Sequence, residues 1–207
     1  MTTIKIPEPT LRRLPMYYQF LKRQKKEGRE FISCTHISND LNLIPVQVRK
    51  DLQNAGAVGK PKVGYEVDTL ISIIEGTLGY NNLNEAFLVG MGNLGQALSA
   101  HKEFEKCGME IIATFDTSPL KIGRDYFGKR VFPLNKFKNL SQRMNIKIGI
   151  ITTPAKNAQE IADLMVDAGI KGIWNFAPVH LNVPDDVTVQ NENLATSLSV
   201  LLNKMSQ

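Results

Sequence analysis

Ala86-Phe-Leu-Val-Gly90-Met-Gly92-Asn-Leu-Gly95-Gln-Ala-Leu98 decides the fold, because an apolar strand runs straight into Gly-x-Gly-x-x-Gly and then into a helix. Phe87 to Val89 supply the strand, and Leu94, Ala97 and Leu98 the apolar face of the helix. Gly90 makes the tight turn, Gly92 lets the backbone approach a pyrophosphate with no Cβ in the way, and Gly95 lets the helix pack closely on the strand. Met91 and Asn93 complete a loop whose helix N-terminus would present N–H groups and a partial positive charge to phosphates. The second half of the signature follows. Glu110 to Asp116 reads as the next strand, ending in an acid 21 residues after Gly95, placed to accept hydrogen bonds from adenosine ribose hydroxyls. No arginine follows Asp116 immediately, so a 2′-phosphate would meet a negative charge without a cation, and NAD(H) is favoured over NADP(H).

Downstream the pattern alternates. Lys129 to Phe132 reads as a strand, Leu134 to Met144 as a helix, and Ile146 to Ile151 as a buried strand ending in Thr152-Thr153-Pro154. Asn157 to Ala168 is an amphipathic helix, Gly172 to Asn175 a strand leading into Phe176-Ala177-Pro178, and Val187 to Val189 the last strand. Such alternation specifies an α/β fold with a parallel, doubly wound sheet, whose ligands bind at the carboxyl ends of the strands. Thr152, Thr153, Pro154, Asn175, Ala177 and Pro178 are therefore expected beside the fingerprint loop. The tail from Leu194 to Leu202 places Leu194, Leu198, Leu201 and Leu202 on one face of a helix that needs a partner.

Upstream, the chain opens with three helices: one opening at Pro9 and closing at Gly28, a short one capped by Ser33 or Thr35, and Pro45 to Ala55. This is a helix-turn-helix pattern. Val46, Val48 and Leu52 are expected in the core, leaving Gln47, Arg49 and Lys50 to face a major groove. Gly59-Lys60-Pro-Lys62-Val-Gly64-Tyr65 is a basic hairpin tip, a wing, flanked by Ala57-Val58 and Tyr65 to Val67. Lys60 and Lys62 would contact phosphate, and Tyr65 would either contact the backbone or pack the hairpin base. An apolar helix, Leu70 to Leu78, links the domains and helps to pair subunits. The expected organisation is a winged-helix DNA-binding domain at 1–80, a Rossmann NAD(H)-binding domain at 81–193 and a C-terminal dimer helix at 194–207.

Charge agrees with this division. Of the net +5 of the 207 residues, 1–80 hold 12 Lys and Arg against 8 Asp and Glu, and 81–207 hold 13 against 12. The basic excess thus lies in the first domain and suits a polyanion such as double-stranded DNA. No run approaches the roughly 20 apolar residues of a membrane helix and no cleavable signal opens the chain, so no membrane partner and a cytoplasmic location are expected. Cys34 and Cys107 have no metal-ligand spacing and are expected to be buried thiols.

Taken together, Gln47-Val-Arg-Lys-Asp-Leu52, Gly64-Tyr65, Val89 to Gly95, Phe115-Asp116 and Ala168-Gly-Ile-Lys-Gly-Ile-Trp-Asn-Phe-Ala-Pro178 make the chain resemble the Rex family of redox-sensing transcriptional repressors over essentially its full length. The resemblance implies a homodimer of winged-helix and Rossmann domains that binds inverted-repeat operators and releases them when NADH rises. It also implies that the C-terminal helix swaps into the other subunit, although packing on its own Rossmann domain remains open. Three positions form the implied switch. His101 stands where the family commonly has a tyrosine near the nicotinamide, Asn193 where it has an Asp before the last helix, and Arg13 as the arginine paired with that Asp. An Asn cannot form the ion pair. Ile44 stands where a capping Thr is common, which weakens the start of the third helix by about 1 kcal/mol.

Other readings stay open at this point. An NAD(H)-dependent oxidoreductase would need a general acid or base, for which His101 and His180 are the candidates; no catalytic set is visible, so no enzyme is expected. A constitutive DNA-binding regulator with a weakened switch is the second alternative, and a coenzyme A domain the third.

Overall fold

The computed structural model describes residues 6–206, the side chains of Leu194 and Ser197 excepted. It divides into two compact units with the boundary between Asn82 and Leu83. The first unit runs α1 (Glu8–Lys26), β1 (Phe31–Ile32), α2 (Cys34–Leu41), α3 (Pro45–Asn54), β2 (Tyr65–Glu66) and α4 (Val67–Leu78). Pro15 lies inside α1, where the missing N–H and the ring clash cost about 3 kcal/mol. The helix runs on because Leu14, Tyr17, Tyr18, Phe20 and Leu21 are all buried, and each such side chain returns roughly 1.5–3 kcal/mol.

Capping then sets the turn of the helix-turn-helix. Ser33 Oγ accepts the His36 N–H at 3.1 Å to start α2, and Asn42, at φ 52°, ends it in the left-handed conformation that Asn tolerates. Ile44 is the N-cap of α3 and makes no capping bond, so Pro45 in the first turn is left to set the helix start. Val48 and Leu52 are fully buried. Val46 is not; it is 59 % exposed in the first turn, because at 3.6 residues per turn it lies on the side of α3 opposite the buried Val48, Asp51 and Leu52.

The wing also differs from expectation. Tyr65 and Glu66 pair antiparallel with Ile32 and Phe31, not with Ala57-Val58, and Val67 already opens α4. Ile32 is buried and a Cβ on Gly64, at φ +98°, would collide with its carbonyl oxygen. That close approach requires glycine and fixes the strand pairing. The tip is closed by a bridge between Lys60 and Gly64.

The second unit comprises β3 (Asn84–Val89), α5 (Asn93–Ala100), α6 (Glu103–Lys106), β4 (Met109–Asp116), β5 (Asp125–Tyr126), β6 (Lys129–Pro133), a 3-10 turn at Leu134–Lys136, α7 (Phe137–Arg143), β7 (Ile148–Ile151), α8 (Ala155–Asp167), β8 (Gly172–Asn175), β9 (Thr188–Asn191) and α9 (Leu194–Met205). The strand order is β5-β6-β4-β3-β7-β8-β9, parallel except for the β5–β6 hairpin. The chain leaves β3 in one direction and returns to β7 on its other side, which makes the β3–β7 gap the topological switch point. Alternation along β3 fills both faces: Ala86 and Leu88 pack with Met91, Ile111 and Ile150, while Phe87 joins Phe115 and Phe137 in a cluster with ring centroids 5.0–5.7 Å apart.

The fingerprint helix buries Gly95 and Ser99; Leu94 and Ala97 are exposed and Leu98 is half-buried, so the apolar face expected from sequence is turned by about one residue. Cys34 is buried as expected, but Cys107, at the end of the short α6, is exposed. In α9, Leu198, Leu201 and Leu202 are each 54 % exposed, and the side chain of Leu194 lies outside the described residues. Among the described residues no helix is long and apolar enough to cross a membrane.

Candidate nucleotide cavity and nucleic-acid interface

A cavity of about 610 Å³ opens at the switch point, lined by Gly90, Gly92, Asn93 and Leu94 from the fingerprint, Asp116 from the end of β4, and Thr152, Thr153 and Pro154 from the end of β7. Backbone bonds bring these loops together: Gly90 N–H donates to Phe115 O at 2.8 Å and Thr152 N–H to Val89 O at 3.0 Å. The Thr152 hydroxyl donates to Gly90 O at 2.7 Å, and a Cβ on Gly95 would strike that same carbonyl. Gly95 is therefore a packing requirement. A Cβ on Gly92 would meet nothing within 4 Å, so no protein contact demands that glycine, and it faces open space where a ligand can approach. No side chain caps α5, and the buried Thr153 hydroxyl has no partner. Both features fit a ligand with phosphate or amide oxygens.

Asp116 is 8 % exposed and strongly engaged. Its carboxylate accepts the Met91 N–H at 2.7 Å, the Ser118 N–H at 2.8 Å and the Lys121 ammonium at 3.0 Å. Burial pushes the carboxyl up, but the bonds from Ser118, Lys121 and Met91 outweigh it and hold it below the ordinary carboxylate range. The expectation of an acid without a cation is thus corrected. The Ser118-Pro119 turn, closed by Lys121 N–H to Ser118 O at 3.0 Å, brings Lys121 back onto Asp116 from five residues downstream.

Several expected residues do not line the cavity. Met91 is wholly buried with its N–H on Asp116. Asn175 is wholly buried, and its side-chain amide bonds Ala177 O, Val179 O and the Asn191 side chain while accepting the Ala177 N–H, so it shapes the loop. Ala177 is buried, Pro178 and His180 point to solvent, and Phe176 is the residue of that loop that reaches the cavity. His101 is exposed at the end of α5 and outside the lining. Aromatic contacts nevertheless lead from His101 through Phe104 and Trp174 to Phe176, at centroid spacings of 4.8, 5.4 and 4.7 Å. Sequence reading missed Phe176, Thr117, Lys121, Leu134, Asn157 and Glu160 in the lining. Strand-end position alone signals Thr117 and Phe176, which follow the last residues of β4 and β8; the others arrive by tertiary packing.

In the first unit, Arg49 and Lys50 are exposed on α3 and Gln47 is half-exposed beside them, while Lys60 and Lys62 project from the wing. Tyr65 packs: its ring lies against Gly59, where a Cβ would come within 3.0 Å, and its hydroxyl lies 3.9 Å from Cys34 Sγ. The implied switch residues have other partners. Arg13 donates two bonds to Asp51, at 2.6 and 2.8 Å, and Tyr17 and Thr10 donate to the same carboxylate at 2.7 and 2.8 Å. Burial raises the Asp51 pKa, but these donors outweigh it and keep the acid below its ordinary value. Arg13 thus fastens α1 to α3. Asn193 caps α9, accepting the Ala195 and Thr196 N–H groups at 3.0 and 3.3 Å.

Comparison with known proteins follows the same division. Residues 5–53 match the family model described as "Putative DNA-binding protein N-terminus", and residues 81–179 the model described as "CoA binding domain". Over 202 residues the chain is 41 % identical to the redox-sensing transcriptional repressor Rex of Bacteroides thetaiotaomicron, covering 98 % of this chain and 92 % of that one. Against the repressor of the same name from Treponema denticola it is 43 % identical, covering 97 % and 96 %. Among solved structures it matches RSP in complex with beta-NAD+ and operator DNA, with a TM-score of 0.92, 35 % identity and coverage of 97 % and 93 %. It also matches RSP in complex with beta-NADH, with a TM-score of 0.88, 34 % identity and coverage of 97 % and 94 %. The chain belongs to the Rex family of redox-sensing transcriptional repressors.

Proposed function

We propose that this protein is a transcriptional repressor that senses the NADH/NAD+ ratio, binds palindromic operator DNA as a homodimer and releases it when NADH binds. The observation that carries the reading is the cavity at the switch point, with an open Gly92, an uncapped α5 and an unpartnered buried hydroxyl on Thr153, in the same chain as an exposed basic α3 and wing. Gly92, Asn93 and Leu94 would hold the pyrophosphate, Asp116 the adenosine ribose, and Thr153 and Phe176 the far end of the dinucleotide. The bound group supplies a nicotinamide ring that is cationic when oxidised and neutral when reduced. Only contacts near that ring can separate the two forms, because a ligand of equal affinity for both conformers shifts neither. A coupling of about 1–3 kcal/mol would weaken operator binding roughly 5- to 150-fold.

On this reading Arg49 and Lys50 enter the major groove, Gln47 borders it, and Lys60 and Lys62 grip phosphate. The half-exposed leucines of α9 supply an apolar face for the second subunit, into which the helix would swap. The protein acts on DNA and so works in the cytoplasm. It is a regulator without turnover, which agrees with relatives named as repressors. The match to a coenzyme A domain reflects the shared nucleotide fold, and the near full-length relatives favour NAD(H).

The interface is tested by binding to a palindromic, A·T-flanked duplex. Arg49→Ala should cost about 1–3 kcal/mol at one base position, whereas Lys62→Ala should weaken binding to every sequence and flatten the salt dependence. Identical behaviour of the two variants would remove α3 from the groove.

A further inference from the structure

α3 turns one stripe of side chains inward and the opposite stripe outward. Its buried residues are Val48, Asp51 and Leu52. At about 100° per residue Val46 lies roughly 200° from Val48, and Lys50 and Gln53, one and two turns further on, share its side. All three are exposed, so the outward stripe of this basic helix begins with a valine. Val46 is not part of the unit's apolar core. With the exposed Ile44 before it, and with Gln47 and Lys50, it walls an open groove of about 460 Å³ whose other side carries Thr10 and Arg13 of α1.

In the major groove every base pair offers hydrogen-bonding groups, but the apolar group on offer is the C5 methyl of thymine. A valine side chain neither donates nor accepts, so on that surface it discriminates by apolar contact alone. The first turn of a recognition helix is the part that meets base edges, and the exposed Arg49, Lys50, Lys60 and Lys62 around Val46 draw a polyanion onto this face. We propose that Val46 is a specificity-determining residue that packs on a thymine methyl in each half-site, with Ile44 extending the apolar contact. This role rests on α3 lying in the major groove.

Deoxyuridine differs from thymidine by that methyl alone, so exchanging the two isolates the contact. The probe is a palindromic duplex selected from a randomised pool by the full chain, with each thymine replaced in turn, symmetrically in both half-sites, at fixed salt. For the unaltered protein one replacement should lower affinity about tenfold, roughly three- to fourfold for each methyl. Val46→Ala, at an exposed position that leaves the fold intact, should reduce that loss to less than about twofold, whereas Lys62→Ala should weaken binding to both duplexes and keep their ratio. A thymine-to-uracil loss that is the same in Val46→Ala, or the absence of any sensitive thymine, would overturn the role of Val46 and leave DNA binding through α3 standing. Failure of the chain to select or bind any duplex would overturn both.

Discussion

Each unit buries one aspartate, and the two are held in opposite ways. Asp51 receives four hydrogen bonds, all from side chains of α1: one from Thr10, two from Arg13 and one from Tyr17. That fills the carboxylate's acceptor capacity, and every donor belongs to the helix against which α3 packs. Asp116 receives two backbone N–H groups and one lysine, which leaves it with capacity to spare at a cavity wall. A saturated acid with side-chain donors is a clasp between helices. An acid fixed by backbone and left short of partners is prepared for a ligand. Both acids lie in stretches that point to function when read as sequence, yet only one has the geometry of a ligand group.

The contrast predicts separable losses. Asp51→Ala should produce the largest, about 3 kcal/mol or more in denaturant unfolding, because Arg13 and Tyr17 lose their partner in a mostly dry setting. Asp116→Ala should cost less stability, about 1–3 kcal/mol for the Met91 and Ser118 N–H groups left without an acceptor. It should also lower NADH affinity about tenfold or more, equivalent to about 1.4 kcal/mol. The comparison breaks if Asp51→Ala harms NADH binding more than Asp116→Ala does, or destabilises less.

Acid titration sharpens it further. Both carboxyls sit below their ordinary pKa in the folded chain. The stability they contribute is therefore fully present above the unfolded value, near 3.9, and is lost as pH falls through the still lower folded values. The unaltered protein should lose stability on acidification through that window, and Asp51→Asn should flatten the loss. The smallest effect concerns α3 itself. Ile44 is 65 % exposed with extended backbone at φ −91° and makes no cap bond, so Ile44→Thr should stabilise the fold by about 1 kcal/mol in thermal or denaturant melts.

The legible features were those with a long local pattern. β3, its glycines and the strand to Asp116 stand in sequence order, and the alternating strands and helices that follow announce the doubly wound sheet. β1 is two residues long and carries no periodicity, so its pairing with Tyr65-Glu66 emerges only when Gly64 brings the chains together. Val46 was misplaced because the apolar residues of α3 number too few to fix its face. In the site, Asn175 and Phe176 exchanged roles: the polar residue is spent on its own loop, and the aromatic one reaches the cavity. Lys121 depends on a proline turn, and Arg13 on an acid 38 residues away. Contacts of that kind have no local sequence signal. They also redirect the switch argument, since Arg13 and Asn193 each have a structural task inside their own unit.

The central claim is that the nucleotide's redox state controls DNA binding. Its most direct test is to bind the protein to a labelled palindromic duplex at fixed salt and titrate with NADH, with NAD+ and with neither. Release by NADH at concentrations where NAD+ leaves the complex intact is the predicted result. Tight binding indifferent to both nucleotides, or no binding to the duplex at all, would contradict it.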